Sequence, residues 1–201
     1  MKFFVCDFED SFTYNIYSEL LNFKQIESLE VIAFNSLNRF LSEQLLSTEK
    51  VCLIFGPGPG SPMRHGKIIE ILSKLLSKEN VFIVGICLGH QLIWKAMGAN
   101  ISKCQTPMHG LAVEYELTPK IRNFLGVRKK IKVQRYNSLA VKLTKSAAIR
   151  FEQKEGWTLQ FQEDELIISL NTRVISYQFH PESIGTSFPK LFFEPLLKFL
   201  L

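Results

Sequence analysis

Short, nearly unbroken apolar runs alternate, over the first half of this chain, with segments whose apolar side chains recur at helical spacing. The runs are Lys2–Cys6, Val51–Phe55 and residues 81–84, with residues 29–34 as a further strand. A strand that is apolar on both faces must be covered on both faces, and a parallel sheet wrapped by its own crossover helices does this. Helices are expected at 12–21, with Asp10-Ser11 as capping side chains, and at 37–46, 67–76 and 88–97. In the third of these, Ile68, Ile71, Leu72 and Leu75 share one face. The expected class is α/β, with a largely parallel central sheet flanked by helices.

From about residue 100 the pattern changes. Segments 111–117, 131–133, 139–143, 149–153, 158–161, 166–170 and 174–179 are strand-like and mostly joined by short polar turns. They are expected as additional antiparallel and edge strands of the same unit. Residues 190–201 close the chain as a helix interrupted or restarted at Pro195. No linker-like composition divides the chain, so residues 1–201 are expected to form one domain.

Composition removes several function classes. A hydrophobic content of 46% with 21% charged residues belongs to a folded globular chain, not a disordered one. The net charge of +5 is spread out, and its densest cluster is Arg128-Lys129-Lys130 with Lys132 and Arg135. That cluster is expected to be a solvated loop and strand edge; a docking patch for an acidic partner or an anionic substrate is the alternative. Nucleic acid is not expected as a partner, because the basic residues are not interleaved with aromatics and no binding motif appears. Cys6, Cys52, Cys87 and Cys104 match neither a zinc spacing nor a Cys-x-x-Cys redox pair. The N-terminal run is too short for a signal peptide, and no apolar stretch reaches membrane-spanning length. A cytoplasmic protein with reduced thiols and no metal site is expected.

Chemistry concentrates at Gly85-Ile86-Cys87-Leu88-Gly89, where a buried strand runs through a tight turn into a helix. That context displays a nucleophile at the C-terminal edge of a sheet. The flanking glycines let neighbouring backbones approach, and the helix N-terminus favours a thiolate. A buried cysteine between two structural glycines is the competing reading of this segment alone. A thiolate needs a base and an orienting acid, and His180-Pro181-Glu182 supplies both at the end of another apolar strand. Strand ends converge on one edge of a parallel sheet, so distant segments can meet there. A tetrahedral intermediate also needs preset N–H donors. Leu88 can give one, and the stiff loop Gly56-Pro57-Gly58-Pro59-Gly60 can give the other. That loop lacks the Gly-Lys-Ser/Thr of a Walker A site, and no Pro-Cys-x-x-Cys follows His180-x-Glu182 as a zinc deaminase would require.

These segments, with Asp10-Ser11-Phe12-Thr13-Tyr14-Asn15, Met108-His109-Gly110, Arg135-Tyr136 and Ser138-Leu139, resemble the class I, triad-type glutamine amidotransferases. Within them the chain is most similar to the small subunits of anthranilate synthase and aminodeoxychorismate synthase. The resemblance runs nearly end to end. It implies that Cys87 attacks the side-chain amide of L-glutamine, that His180 acts as base and then acid, and that Glu182 orients it. It implies oxyanion donors at Gly58 and Leu88, and glutamine contacts at Gly60, Gln91, Ser138 and Leu139. Ammonia would pass to a separate chorismate-binding synthase subunit, component I, in the tryptophan or the folate pathway. No cofactor is implied for this chain, and any magnesium requirement would belong to the synthase.

Several positions depart from the pattern. Asn137 stands where this branch usually has His, Phe8-Glu9 replaces Asn and an aromatic or aliphatic residue, and Leu111-Ala112 and Ser187-Phe188-Pro189 replace more polar stretches. None touches the triad. They leave open an alternative: a non-catalytic or atypical binding subunit of this fold with a different acceptor partner.

Overall fold

The computed structural model describes residues 1–127 and 130–200. The expectation placed on Arg128 and Lys129 lies outside those residues. The chain begins β1 (Lys2–Cys6), α1 (Thr13–Leu21), β2 (Leu29–Ile32), α2 (Phe34–Leu46), β3 (Val51–Phe55), α3 (Gly66–Leu75), β4 (Val81–Ile86) and α4 (Leu88–Ala96). It continues with β5 (Asn100–Lys103), β6 (Leu111–Glu116), α5 (Pro119–Leu125), β7 (Lys130–Arg135), β8 (Leu139–Lys142) and α6 (Lys145–Lys154). It ends with β9 (Thr158–Gln162), β10 (Glu165–Leu170), β11 (Val174–Tyr177), α7 (Lys190–Phe193) and a 3-10 turn over Glu194–Leu200.

One seven-stranded sheet organises these elements, in the order β2-β1-β3-β4-β11-β10-β9. The five strands from β2 to β11 are parallel, and β10 and β9 complete the sheet antiparallel. Side chains alternate between the faces, so each parallel strand feeds two cores. On one face Phe4, Leu53, Phe55 and Ile83 pack with Leu37, Leu41, Ile71, Leu72 and Trp94 from α2, α3 and α4. On the other, Phe3, Val5, Ile54 and Val84 pack with Ile16 and Leu20 of α1, Ile121 of α5, and Phe192 and Phe193 of α7. Burying one such Leu, Ile or Phe stabilises the fold by roughly 1.5–3 kcal/mol.

The second half departs from expectation in three places. Residues 149–153 are helix, not strand: α6 runs Lys145–Lys154, and the Thr144 hydroxyl caps it by accepting from the Ala147 N–H at 3.2 Å. Only Phe151 of this segment is buried, so the apparent period of two carries no buried face. Two elements were not expected, α5 and β5. The first starts on Pro119 and stops at left-handed Gly126 (φ 69°), a readable helix signature; the second pairs only with β8. Arg135 is not at a solvated strand edge. It is 2% exposed, and its guanidinium donates to Glu165 Oε2 at 2.5 Å, the Tyr115 hydroxyl at 2.8 Å and Asn137 Oδ1 at 2.9 Å. Lys130 and Lys132 are exposed as expected.

Candidate active site

The C-terminal ends of β1, β3, β4 and β11 lie side by side, and the loops leaving them build one site. Cys87 follows β4 and precedes α4, with φ 51° and ψ −101°. A non-glycine residue in that region stores strain of order 1–3 kcal/mol, which persists only when its surroundings over-determine it. They do. The Cys87 N–H donates to the Tyr177 carbonyl at 2.8 Å, extending the β4–β11 ladder by one residue, and the Gly89 N–H donates to the Gly56 carbonyl at 3.2 Å. A Cβ on Gly89 would run into the Phe55 carbonyl, and one on Gly85 would lie 2.5 Å from Ile93 Cδ1. The flanking glycines are therefore required by close backbone approach.

The adjacent strand β11 runs into Gln178-Phe179-His180. Here His180 Nδ1–H donates to Glu182 Oε1 at 2.7 Å, with His180 2% and Glu182 5% exposed. His180 Nε2 is buried without a hydrogen-bond partner. Burial disfavours the imidazolium, but the Cys87 sulfur and the Glu182 carboxylate outweigh it and hold the His180 pKa well above the ordinary value. Phe12 and Tyr136 pack against the imidazole, with ring centroids at 5.1 and 4.9 Å. Phe12 is brought there by the β1–α1 turn. Asp7 Oδ1 accepts from the Glu9 N–H and the Thr13 hydroxyl, and Asp10 Oδ1 accepts from the Phe12 N–H. Asp10 thus orders the approach to the helix, which starts at Thr13, one residue later than expected.

A cavity of about 300 Å³ opens on Cys87. Gly58, Gly60, Leu88, Gln91, Ser138 and Leu139 all line it, so every predicted binding residue reaches one space. Gly58 packs so closely on Phe8 and Leu88 that a Cβ would lie 2.5 Å from Phe8 Cβ. Leu88 opens α4, so its N–H has no carbonyl of the helix to bind. Gln91 Nε2 donates to the Leu139 carbonyl at 2.9 Å and to Gln178 Oε1 at 3.1 Å, which leaves its own carbonyl oxygen as an acceptor. Asp10, Pro59, His109, Tyr136 and Asn137 line the cavity as well, and Asp10, Tyr136 and Asn137 carried no site role from the sequence. Adjacency to Ser138-Leu139 was the available signal for two of them. Asn137 fixes that segment: its Nδ2 donates to the Leu139 carbonyl at 2.9 Å and to Cys104 Sγ at 3.1 Å.

Two further histidines and the other three cysteines lie outside the cavity. His90 is fully buried and bonded on both nitrogens. His65 is half-buried, edge-on to Phe8 and Phe34. Cys6 and Cys52 are fully buried, and burial pushes both thiols far up; Cys104 is pushed up to about 12, chiefly by burial. Among the described residues, no group of three or more His, Cys, Asp or Glu is disposed to hold a metal ion. No described helix is long and apolar enough to cross a membrane.

A cysteine on a strained strand–helix turn, a buried His–carboxylate pair at the next strand's end and a cavity beside them are parts that acyl transfer through a thioester can use. Anthranilate synthase component 2 of Helicobacter pylori (strain ATCC 700392 / 26695) is 32% identical over 204 residues, covering 100% of this chain and 98% of the relative. The aminodeoxychorismate/anthranilate synthase component 2 of Bacillus subtilis (strain 168) is 33% identical over 184 residues, 90% of this chain and 88% of the relative. Among solved structures, a glutamine amidotransferase from Thermotoga maritima shares the fold with a TM-score of 0.66 at 16% identity, over 90% of this chain and 76% of that one. The profile of the family described as glutamine amidotransferase class-I matches residues 4–199, and the chain belongs to that family.

Proposed function

We propose that this chain hydrolyses L-glutamine to glutamate and ammonia with Cys87, His180 and Glu182, and delivers the ammonia to a chorismate-aminating synthase subunit. The observation that carries the reading is the meeting, at one sheet edge, of the strained Cys87 turn with the buried His180–Glu182 pair above a cavity lined by Gln91, Ser138 and Leu139. Cys87 sulfur attacks the glutamine side-chain carbonyl carbon, and the carbonyl oxygen becomes an oxyanion facing the N–H groups of Gly58 and Leu88. The imidazolium of His180 gives its proton to the leaving nitrogen, the C–N bond breaks and ammonia departs. Water then attacks the γ-glutamyl thioester, His180 takes its proton, and glutamate leaves with the thiolate restored. Glu182 holds the ring through Nδ1 in both steps and favours its charged form. Gln91, through its unused carbonyl oxygen, Gly60 and the Ser138-Leu139 backbone hold the amino-acid end of the substrate. The acceptor is supported by the names of the two relatives, both component 2 of a chorismate-using synthase.

The test is ammonia release from glutamine by the chain and its Cys87→Ser variant, each alone and with an anthranilate or an aminodeoxychorismate synthase component I plus chorismate. Release that needs Cys87 and rises with one synthase is expected, and the variant should lose at least about 10³-fold. Release unchanged by Cys87→Ser would overturn the reaction. No release in any mixture would favour a non-catalytic binding subunit.

A further inference from the structure

The loop carrying His180 and Glu182 is clasped from outside the triad by one side chain on β7. Gln134 Oε1 accepts from the Ser183 hydroxyl at 2.6 Å and from the Gly185 N–H at 2.9 Å, and its Nε2 donates to the Gly110 carbonyl at 3.1 Å. Its backbone completes the clasp. The Gln134 carbonyl accepts from the His180 N–H at 2.9 Å, and its N–H donates to Thr186 Oγ1 at 3.0 Å. The Thr186 hydroxyl in turn donates to the His180 carbonyl at 2.6 Å. Residue 185 has no side chain at the point where Gln134 Oε1 sits, and a Cβ there would collide with it. Tyr136 joins the same network. Ser183 gives its proton to Gln134, so the Tyr136 hydroxyl, 3.5 Å away, is the donor to Ser183.

Gln134 does not line the cavity. Beyond the rings of Phe12 and Tyr136 packed against it, the imidazole has no polar anchor outside its own loop: Nε2 has no hydrogen-bond partner, and Nδ1 is tied to a carboxylate two residues further along. Ring and carboxylate would therefore move together if the loop moved. We infer that Gln134 is a positioning residue for the His180–Glu182 pair, fixing it relative to Cys87 and tying it to the β6–β7 hairpin through Gly110. This rests on the proposed glutaminase reading. Displacing a catalytic group by about 1 Å lowers a rate by roughly 10²-fold, so the clasp bears on turnover and not only on stability.

The test uses Gln134→Leu, which keeps the bulk and loses all three side-chain bonds, in the full chain with either synthase component I present. Glutamine kcat should fall about tenfold while KM stays within about twofold, because the cavity residues are untouched. Labelling of Cys87 by iodoacetamide at about pH 6.5 should slow severalfold, since it reads the imidazolium beside the sulfur without requiring turnover. Gln134→Glu keeps both accepted bonds but sets a carboxylate oxygen against the Gly110 carbonyl, so it should recover only part of the rate. The double variant with Ser183→Ala should lose less than the product of the two single losses, because the two residues share one bond. If Gln134→Leu does not fold, Ser183→Ala decides, with an expected loss of about threefold in kcat at unchanged KM. Rates and labelling within about twofold of the parent, or additive losses in the double variant, would overturn the assignment. The Cys87→Ser control separates the two claims. If it is silent while Gln134→Leu is unimpaired, only the clasp is wrong; if it still releases ammonia, the glutaminase reading is wrong.

Discussion

Two regions near Cys87 each bury a histidine, and they push its pKa in opposite directions. His90 lies on α4 three residues beyond Cys87, and His180 lies in the loop after β11. The pKa of His90 is pushed down to about 3, chiefly by burial and further by the charge of Arg135; that of His180 is raised although burial opposes it. The partners make the difference. His90 Nε2 donates to the Leu166 carbonyl at 3.0 Å, so its Nδ1 must accept from the Ser176 hydroxyl at 2.7 Å. Ser176 then accepts from the Ser169 hydroxyl at 2.6 Å, and Ser169 from Trp94 Nε1–H at 2.9 Å. Every proton in this chain is assigned, and one more would leave a buried hydroxyl hydrogen without an acceptor. At His180, Nδ1 faces a carboxylate and Nε2 is left without a partner. A saturated polar chain makes a structural histidine, and a carboxylate with one open nitrogen makes a reactive one.

The sharpest way to break the comparison is to remove each ring in turn. His180→Asn should lower glutamine turnover at least about 10³-fold, since it removes the proton carrier of both steps. His90→Asn should lower it by less than about tenfold and act mainly on thermal stability. Steady-state ammonia release and a melting curve for each variant check this. Equal catalytic losses would mean that the two regions do not divide the work as their hydrogen bonds suggest.

A smaller effect tests the carboxylate. Glu182→Gln retains a hydrogen-bonding oxygen opposite Nδ1 but removes the charge. The imidazolium loses one of the two partners that raise its pKa, so His180 should give up its proton at lower pH. Turnover should fall by roughly 10–100-fold, and the limb of the pH–rate profile set by loss of that proton should move to lower pH. A loss of rate with an unmoved profile would assign Glu182 a purely geometric role.

The contrast between the two histidines was only partly legible in the sequence. His180 was visible because its acid sits two residues away and its strand is apolar, so local chemistry and fold pointed to one edge. The strands β1, β3 and β4 were legible for the same reason: burial on both faces leaves a continuous apolar run. What was not legible depends on partners brought from afar. Arg135 read as one more basic residue in a run because Glu165 and Tyr115, which bury it, lie on other strands. Gln134 carried no signal at all, since Gly110, Ser183 and Gly185 meet it only in the folded chain. The error at α6 was of another kind. A single buried residue, Phe151, gives neither a strand nor a helix pattern, and the Thr144 cap with Ala147-Ala148 should have decided it.

The smallest effect sharpens the comparison from the thermodynamic side. His90 has a folded pKa of about 3, below the value near 6.5 of an unfolded chain. Between those values the unfolded state binds more protons than the native one, so stability rises with pH across that window and is lost as pH falls. Above about pH 6.5 both states are neutral and the contribution is constant. The slope from this one group is at most about 1.4 kcal/mol per pH unit. It should be read as a difference between the parent and His90→Asn, because His180, with its raised pKa, contributes with the opposite sign: stability present below about pH 6.5 and lost as pH climbs toward its folded value. Urea midpoints measured from about pH 4 to 7 should therefore fall more steeply with acid for the parent than for the variant. Parallel curves would mean that His90 accepts a proton in the folded chain, and the one-way hydrogen-bond chain through Ser176 and Ser169 could not then be as drawn.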